Sequence, residues 1–299
     1  MSHQVDTDNY LMPKDKTGLL EIIQILWKQR VLVIILTSIF AMSSVVFALI
    51  LKDYYQSESL LVATKSPDAG GVSQFAGLAS LAGIGVDGSG DPVTEIIELI
   101  RSREFVKHLI SFDGVLEGIM AAKKFDSKNK KLLYTDNFNQ ESNTWLLKPT
   151  YLQAHKKYRD KLLDISQSKR TGVVSIKIEH LSPIFAKELL QLIINEANSL
   201  TRKRDLESTN LALAFLKDEL SKTALIEIRQ SINTLIESQL ERQMTARINE
   251  DYILIAIEPP FIPDRKSRPH RARICIIITL IGAVMSLMIV LIRDFFIKR

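Results

Sequence analysis

The sequence predicts an α+β fold, in which two transmembrane helices at residues 31–51 and 274–292 flank a mixed helix and strand domain carrying one long extended helix, a hairpin-like projection. Three observations predict it. Long uncharged runs lie near both ends. Segments of alternating polarity, read as strands, frame the middle. Between Ile184 and Glu258 there are 75 residues without a Gly or a Pro.

The first uncharged run, Val31 to Leu51 (VLVIILTSIFAMSSVVFALIL), has 21 residues. As a helix it would reach about 32 Å, the depth of a bilayer core. The second, Ile274 to Ile292 (ICIIITLIGAVMSLMIVLI), has 19 residues, about 29 Å by the same rise. Uncharged runs of this length are rare in soluble cores. The first is a permanent anchor rather than a cleaved signal. It begins after residue 30, and KDYYQSE behind it offers no small-residue cleavage site.

Two spans put both termini on one side and residues 52–273 on the other. Lys14, Lys16, Lys28 and Arg30 precede the first span, and Lys52 and Lys65 follow it. That balance favours cytoplasmic termini, at 1–30 and 293–299. Around the second span the basic residues argue the reverse: Arg265, Lys266, Arg268, Arg271 and Arg273 precede it. The first span normally dominates orientation, so the large domain is expected outside the cytoplasm. The net charge of +5 is then no nucleic-acid footprint. The Arg265–Arg273 cluster suits anionic lipid headgroups, and a generic membrane-edge anchor explains it as well as a specific lipid site. The single cysteine, Cys275, lies within the second span, so the domain is expected to hold together by packing and assembly.

Along the chain, residues 18–30 form an amphipathic approach to the first span, with Trp27 placed for the interface. Tyr55–Lys65 alternates as a strand. Residues 66–90 have loop composition. Asp91-Pro92 starts a helix, and REFVKHLI forms a second. Residues 121–148 show no clear element. Leu152–Ile165 reads as helix and Val173–His180 as strand. Ser182-Pro183 then opens the helical region, about residues 183–249, with apolar Leu213, Leu216 and Leu220, then Ile228, Ile232, Leu235, Ile236 and Leu240, then Met244 and Ile248. Asp218 and Lys222 form a supporting pair one turn apart. Sixty helical residues would reach about 90 Å. So long an apolar stripe needs partners, either packed segments of its own chain or neighbouring copies. If the helix breaks, the polar TRKRDLESTN (Thr201–Asn210) is the expected place. Asp251–Glu258 returns as a strand, and a proline-rich segment, residues 259–269, with Pro259, Pro260, Pro263 and Pro269, leads stiffly to the second span.

Chemistry is scarce. Gly83, Gly85 and Gly88 match G-x-G-x-x-G, yet they follow Ala, Leu and Ser instead of a β-branched strand, and no P-loop occurs. With Gly77 they read better as a loop or a close packing surface. The five histidines show no metal-ligand spacing. No H-E-x-x-H, C-x-x-C or G-x-S-x-G is present, and no nucleophile stands beside a base. The expectation is no enzyme, no cofactor and no metal.

Several stretches then resemble one family. LLEIIQILWKQRVLVIIL is similar to the approach to the first span of the Wzz-type chain length determinants, the polysaccharide co-polymerases of Gram-negative inner membranes. YQSESLLVA resembles their first strand, SQFAGLASLAGIGV their glycine-rich segment and EIIELIRSREFVKHLI their next helix pair. KRTGVVSIKIEHLSPIFAKELLQLIINEAN resembles their strand, Ser-Pro turn and helix. IRQSINTLIESQLERQMTARINEDYILIAIEPPFIP resembles the end of their long helix and its return strand. One departure is visible: Pro269 and Arg271 stand, within RKSRPHRAR, where the family usually has Pro and a basic residue directly before the span. Gly282 and Ser286 make a small-xxx-small pair in the second span, where the family favours small residues; ordinary membrane-helix glycine content explains them equally well.

The resemblance implies a regulator without catalytic activity. It implies a ring-shaped homo-oligomer with a periplasmic domain, acting with the membrane polymerase of O-antigen and lipopolysaccharide to set modal length, and touching the growing polysaccharide and membrane lipids. The alternative it leaves open is a capsule or exopolysaccharide export co-polymerase, working with an outer-membrane channel or a separate tyrosine kinase. A two-span sensor shares the topology but would need a signalling domain beyond residues 293–299.

Overall fold

The computed structural model describes residue 27 and residues 29–63, 92–249 and 251–297. Along the chain, helix α1 (Arg30–Ile50) is followed by strand β1 (Tyr54–Ala63), then α2 (Pro92–Arg101), α3 (Arg103–Leu109) and α4 (Val115–Ala121). Strands β2 (Ala122–Asp126) and β3 (Lys131–Tyr134) form one hairpin, β4 (Phe138–Asn139) and β5 (Thr144–Trp145) a smaller one. Helix α5 (Tyr151–Lys157) runs into a π-turn (Tyr158–Leu162) and then β6 (Leu163–Gln167) and β7 (Val174–His180). The long helix α6 (Pro183–Lys222) is followed by α7 (Ile226–Ile248), β8 (Leu254–Glu258), β9 (Lys266–Arg268) and α8 (Arg271–Ile297). The fold is therefore mixed helix and sheet, with two candidate membrane helices, Arg30–Ile50 and Arg271–Arg293, near the chain ends. It divides into two compact units: Asp53–Ser267, and the described residues up to Lys52 with those from Arg268 onward.

In the Asp53–Ser267 unit, the main sheet has the order β6-β7-β1-β8, with β9 also paired to β1. Its pairs on this path are antiparallel. Alternation sends Ser57, Ser59 and Leu61 of β1 inward with Val174, Ile176 and Ile178 of β7, all buried. The opposite face carries polar pairs such as Glu58 with Lys177, 3.1 Å apart. The first turns of α6 cover the inner face through Leu189, Leu190, Ile193, Ile194 and Ala197. Each such Leu or Ile taken out of water is worth about 1.5–3 kcal/mol. Local signals start the helices. Ser182 accepts a hydrogen bond from the Phe185 amide ahead of Pro183, and Thr150 forms a capping box with Gln153.

Two expectations are corrected. Leu152–Ile165 is not one helix: its end is strand β6, because Ile165 pairs with Ile176 and buries its side chain in the sheet core. The gain from that pairing overrides local helix propensity. TRKRDLESTN is no break either. Helix α6 runs through it for 40 residues in all, because its polar side chains find partners in the helical state. Thr201 and Thr209 donate back to the carbonyls of Ala197 and Asp205, and Arg204 reaches Glu95 at 2.9 Å. The chain turns at Thr223–Leu225 instead, where Thr223 and Leu225 are extended. Residues 121–148, with no element expected, hold the two small hairpins.

Candidate functional site

The described residues include His, Cys, Asp and Glu side chains. None of their His, Cys, Asp or Glu side chains gathers into a group of three that could hold a metal. The buried histidines are satisfied by backbone: His155 bonds the Arg101 carbonyl at 2.9 Å, and His180 the Gly118 carbonyl at 3.0 Å. His108 meets Glu196 at 2.7 Å. The features able to act are surfaces of packing: the paired terminal helices, the descent from β8, and the helical hairpin of α6 and α7.

In the terminal unit, α1 and α8 lie side by side. Gly282 is buried, and a Cβ there would stand 2.5 Å from Cβ and 2.6 Å from Cγ of Phe40. Ser286 is also fully buried and turns its hydroxyl back to the Ala283 carbonyl at 2.8 Å. Ser44 and Ala48 are the buried small residues of α1. The Cys275 thiol points at the Ser44 carbonyl, 3.8 Å away. Small residues on both helices thus line the seam and let the backbones approach, with their polar atoms satisfied within the helices. The outward faces stay apolar: Met42, Ile50, Ile276 and Leu280 are exposed.

The descent is tied to β1 through its carbonyls. Pro259 and Pro260 have no N–H to donate. The hydroxyl of Ser59 instead donates to the Glu258 carbonyl, and that of Ser57 to the Phe261 carbonyl, each at 2.7 Å. Pro260 and Pro263 are buried and Pro259 is exposed. Asn198 of α6 clamps the start of β8. Its amide donates to the Leu254 carbonyl at 2.9 Å, and its oxygen accepts from the amides of Ile253 and Leu254.

The hairpin is locked at its base. Arg242 of α7 pairs with Asp205 of α6 at 3.1 Å, and the Tyr252 hydroxyl donates to the same carboxylate at 2.8 Å. Burial pushes the Tyr252 phenol up to about 12, with the Asp205 bond adding to it. Leu213, Ile232 and Ala246 are buried. Away from that seam, Leu211 and Phe215 of α6 and Leu240, Met244 and Ile248 of α7 are exposed. The last three line a shallow groove with Asn233, Ile236 and Glu237. Asp218 and Lys222 form their pair on α6.

Of the residues singled out from sequence, Gly282 and Ser286 are brought onto one packed face. The four prolines are spread along the descent: Pro259, Pro260 and Pro263 lie in the Asp53–Ser267 unit and Pro269 in the terminal one. The basic cluster divides likewise. Arg265 and Lys266 lie in the former unit, with Lys266 3.4 Å from Asp53, and Arg268, Arg271 and Arg273 in the latter. Gly77, Gly83, Gly85 and Gly88 lie outside the described residues, as do Asp91, Lys14, Lys16 and Lys28. Sequence reading missed Asn198, Asp205, Arg242 and Phe40. Their partners are 35 or more positions away in the chain, and no local pattern marks them.

The model of one family, Wzz (chain length determinant protein), matches residues 15–111. Among solved structures, the chain is similar to a full-length bacterial polysaccharide co-polymerase, 12% identical, over 94% of this chain and 99% of that one, with a TM-score of 0.41. It is also similar to a fragment of WzzB, a polysaccharide co-polymerase from Salmonella Typhimurium, 15% identical, over 73% of this chain and 100% of that one, with a TM-score of 0.27. A search of curated proteins finds no match. Over residues 15–111, then, the chain is similar to the Wzz chain length determinant proteins.

Proposed function

We propose that this chain is a non-catalytic regulator of polysaccharide modal length, a homo-oligomeric ring acting with the inner-membrane polymerase of an O-antigen-type polymer. The observation that carries the reading is the family match over residues 15–111. The hairpin supports the oligomer, since α6 and α7 carry apolar rows that no described residue covers. In this reading residues 31–51 and 274–292 cross the inner membrane, residues 52–273 form a periplasmic domain and both ends are cytoplasmic. The ring holds the polymerase at its base and biases when the growing polymer is released. The structural residues to test in this reading are Pro259, Pro260, Pro263, Pro269, Gly282 and Ser286. The glycine-rich segment around Gly83 and Gly85 touches polymer or polymerase, and the Arg265–Arg273 cluster meets lipid headgroups.

The test is a gel of surface polysaccharide from the host with the gene deleted. A ladder that persists but loses its preferred length supports the reading. An unchanged ladder, with no second copy of the gene to compensate, refutes it. Loss of polymer from the surface favours the export alternative. Gly83→Val with Gly85→Val tests the glycine-rich segment: an unaltered modal length removes it from the mechanism.

A further inference from the structure

The hairpin of β2 and β3 carries Lys123, Lys124, Lys128, Lys130 and Lys131 within nine residues, with Asp126 as the only acid among them. All five lysines are exposed. One of them, Lys123, lies 3.6 Å from the exposed Asp136. The other four have no ion-pair partner among the described residues. Asp126 offsets only one of these charges, and its carboxylate, which feels Lys124, also shapes the turn. It accepts from the Lys128 amide at 3.0 Å and from the Asn129 side chain at 2.7 Å, and these bonds hold its pKa below the ordinary carboxylate range. Lys130 sits at φ 52°, closing the turn tightly. The result is a compact, fixed cationic tip.

Its position in the Asp53–Ser267 unit gives it an occupant. Phe125 of β2 packs edge-on against Tyr55, with ring centroids 6.4 Å apart. Tyr55 pairs with His180, whose ring bonds the carbonyl of Gly118 in α4, the helix that leads into β2. The hairpin is therefore fixed at the end of the sheet where β1 begins. The chain also leaves the unit at that end, since the Ser267 hydroxyl donates to the Tyr54 carbonyl at 3.2 Å. Tyr54 follows Ile50 by four residues and Ser267 precedes Arg271 by four. Each connection can extend at most about 14 Å. Two such short tethers keep this end of the sheet within reach of any bilayer the two helices cross, so the local lipid concentration is permanently high.

We infer that the β2–β3 hairpin docks on anionic phospholipid headgroups of the membrane that α1 and α8 span, an interaction that rests on the two-span reading. Ammonium groups on flexible stems suit phosphates arrayed on a surface, and several of them together respond to surface potential over about a Debye length, ~10 Å at 0.1 M salt. This contact is separate from the Arg265–Arg273 cluster, which runs through β9 into the first turn of α8.

The experiment uses the full chain with Cys275→Ser and Ser127→Cys, a donor fluorophore at position 127, in nanodiscs whose headgroups carry an acceptor. In discs with about one-third phosphatidylglycerol, transfer is high and falls on the order of twofold as salt rises from about 0.05 to 0.5 M. In phosphatidylcholine discs it is lower and indifferent to salt. Replacing Lys124, Lys128, Lys130 and Lys131 with Gln brings the first signal down to the second. Equal transfer in both lipids with no salt response overturns the proposal without recourse to any lysine variant. Transfer in phosphatidylglycerol discs that survives the four substitutions overturns it too. If polygalacturonate shields position 127 in phosphatidylcholine discs while phosphatidylglycerol has no effect, the surface takes an acidic polymer and the lipid proposal falls. A chain that fails to co-migrate with discs refutes the two-span reading itself, a separate and visible outcome.

Discussion

Gly118 sets how closely α4 lies against the long helix. A methyl group there would stand inside the van der Waals envelope of the Phe185 ring, which is itself held 4.4 Å from the His180 ring. Gly118→Ala should therefore cost about 1–3 kcal/mol, seen as a lower urea midpoint with an unchanged slope. His180 makes the same region sensitive to pH. Burial lowers its pKa from 6.5 to about 4, against the two hydrogen bonds that raise it. The unfolded ring takes up a proton below about 6.5, and the folded ring only below about 4. Between those values the unfolded state binds the extra proton, so stability is full above the upper value and falls as pH drops toward the lower one. The loss approaches about 3 kcal/mol and goes no further in more acid solution. Thermal unfolding followed from pH 7 to pH 4 checks this, and His180→Gln should flatten the curve over that window. In the terminal unit, Gly282→Ala would press on Phe40 at the root of its side chain, where no rotamer change relieves the clash. Ser44→Cys should cross-link oxidatively to Cys275, and adding Gly282→Ala should lower the yield.

At the level of elements, Asn198 is worth more than its place on a helix suggests. Its one side chain satisfies three backbone groups at the start of β8. Asn198→Leu would leave buried donors and an acceptor without partners, at about 1–3 kcal/mol for each group left unsatisfied. Hydrogen exchange should then show β8 opening ahead of β7, whereas uniform protection of the two strands would contradict the assignment. Which elements were legible in the sequence follows from how local their causes are. The two apolar runs, the Ser182-Pro183 start and the alternation of Val174, Ile176 and Ile178 each act within a few residues, and each appears where expected. Strand β6 did not, because the feature that makes Leu163–Gln167 a strand is β7, not its own composition. The continuity of α6 was hidden for the same reason: Arg204, Asp205 and Thr209 look like a polar interruption until Glu95, Arg242 and Tyr252 are placed beside them. Among the sites, the Gly282–Ser286 face was visible as spacing. The clamp at Asn198 and the lysine-rich hairpin depend on which strands pair, and spacing alone does not reveal that.

At the scale of the whole molecule, the hairpin poses a problem of uncovered surface. Leu240, Met244 and Ile248 follow one another at four-residue steps along α7 and remain exposed, a row that falls on one side of a helix. The seam residues Leu213, Ile232 and Ala246 are already buried, so this row is not the side that closes the hairpin. Leu211 and Phe215, also four apart, form a second exposed row on α6. The two rows differ in sequence and lie on different helices. A contact that joins one to the other is head-to-tail, and repeated head-to-tail contacts close into a ring when the rotation permits. Met244→Glu with Ile248→Glu places two charges in that contact while leaving the buried seam untouched. Because both positions are exposed, stability of the single chain should change by no more than about 0.5 kcal/mol. If the proposed function holds, the oligomer, measured by light scattering of the detergent-solubilised protein, should shift toward single chains, and the polysaccharide ladder should lose its preferred length. Phe215→Glu should give the same pair of effects if the rows meet. An oligomer of unchanged mass in both variants would show that these rows do not hold the proposed ring, and the exposed rows would then need another partner.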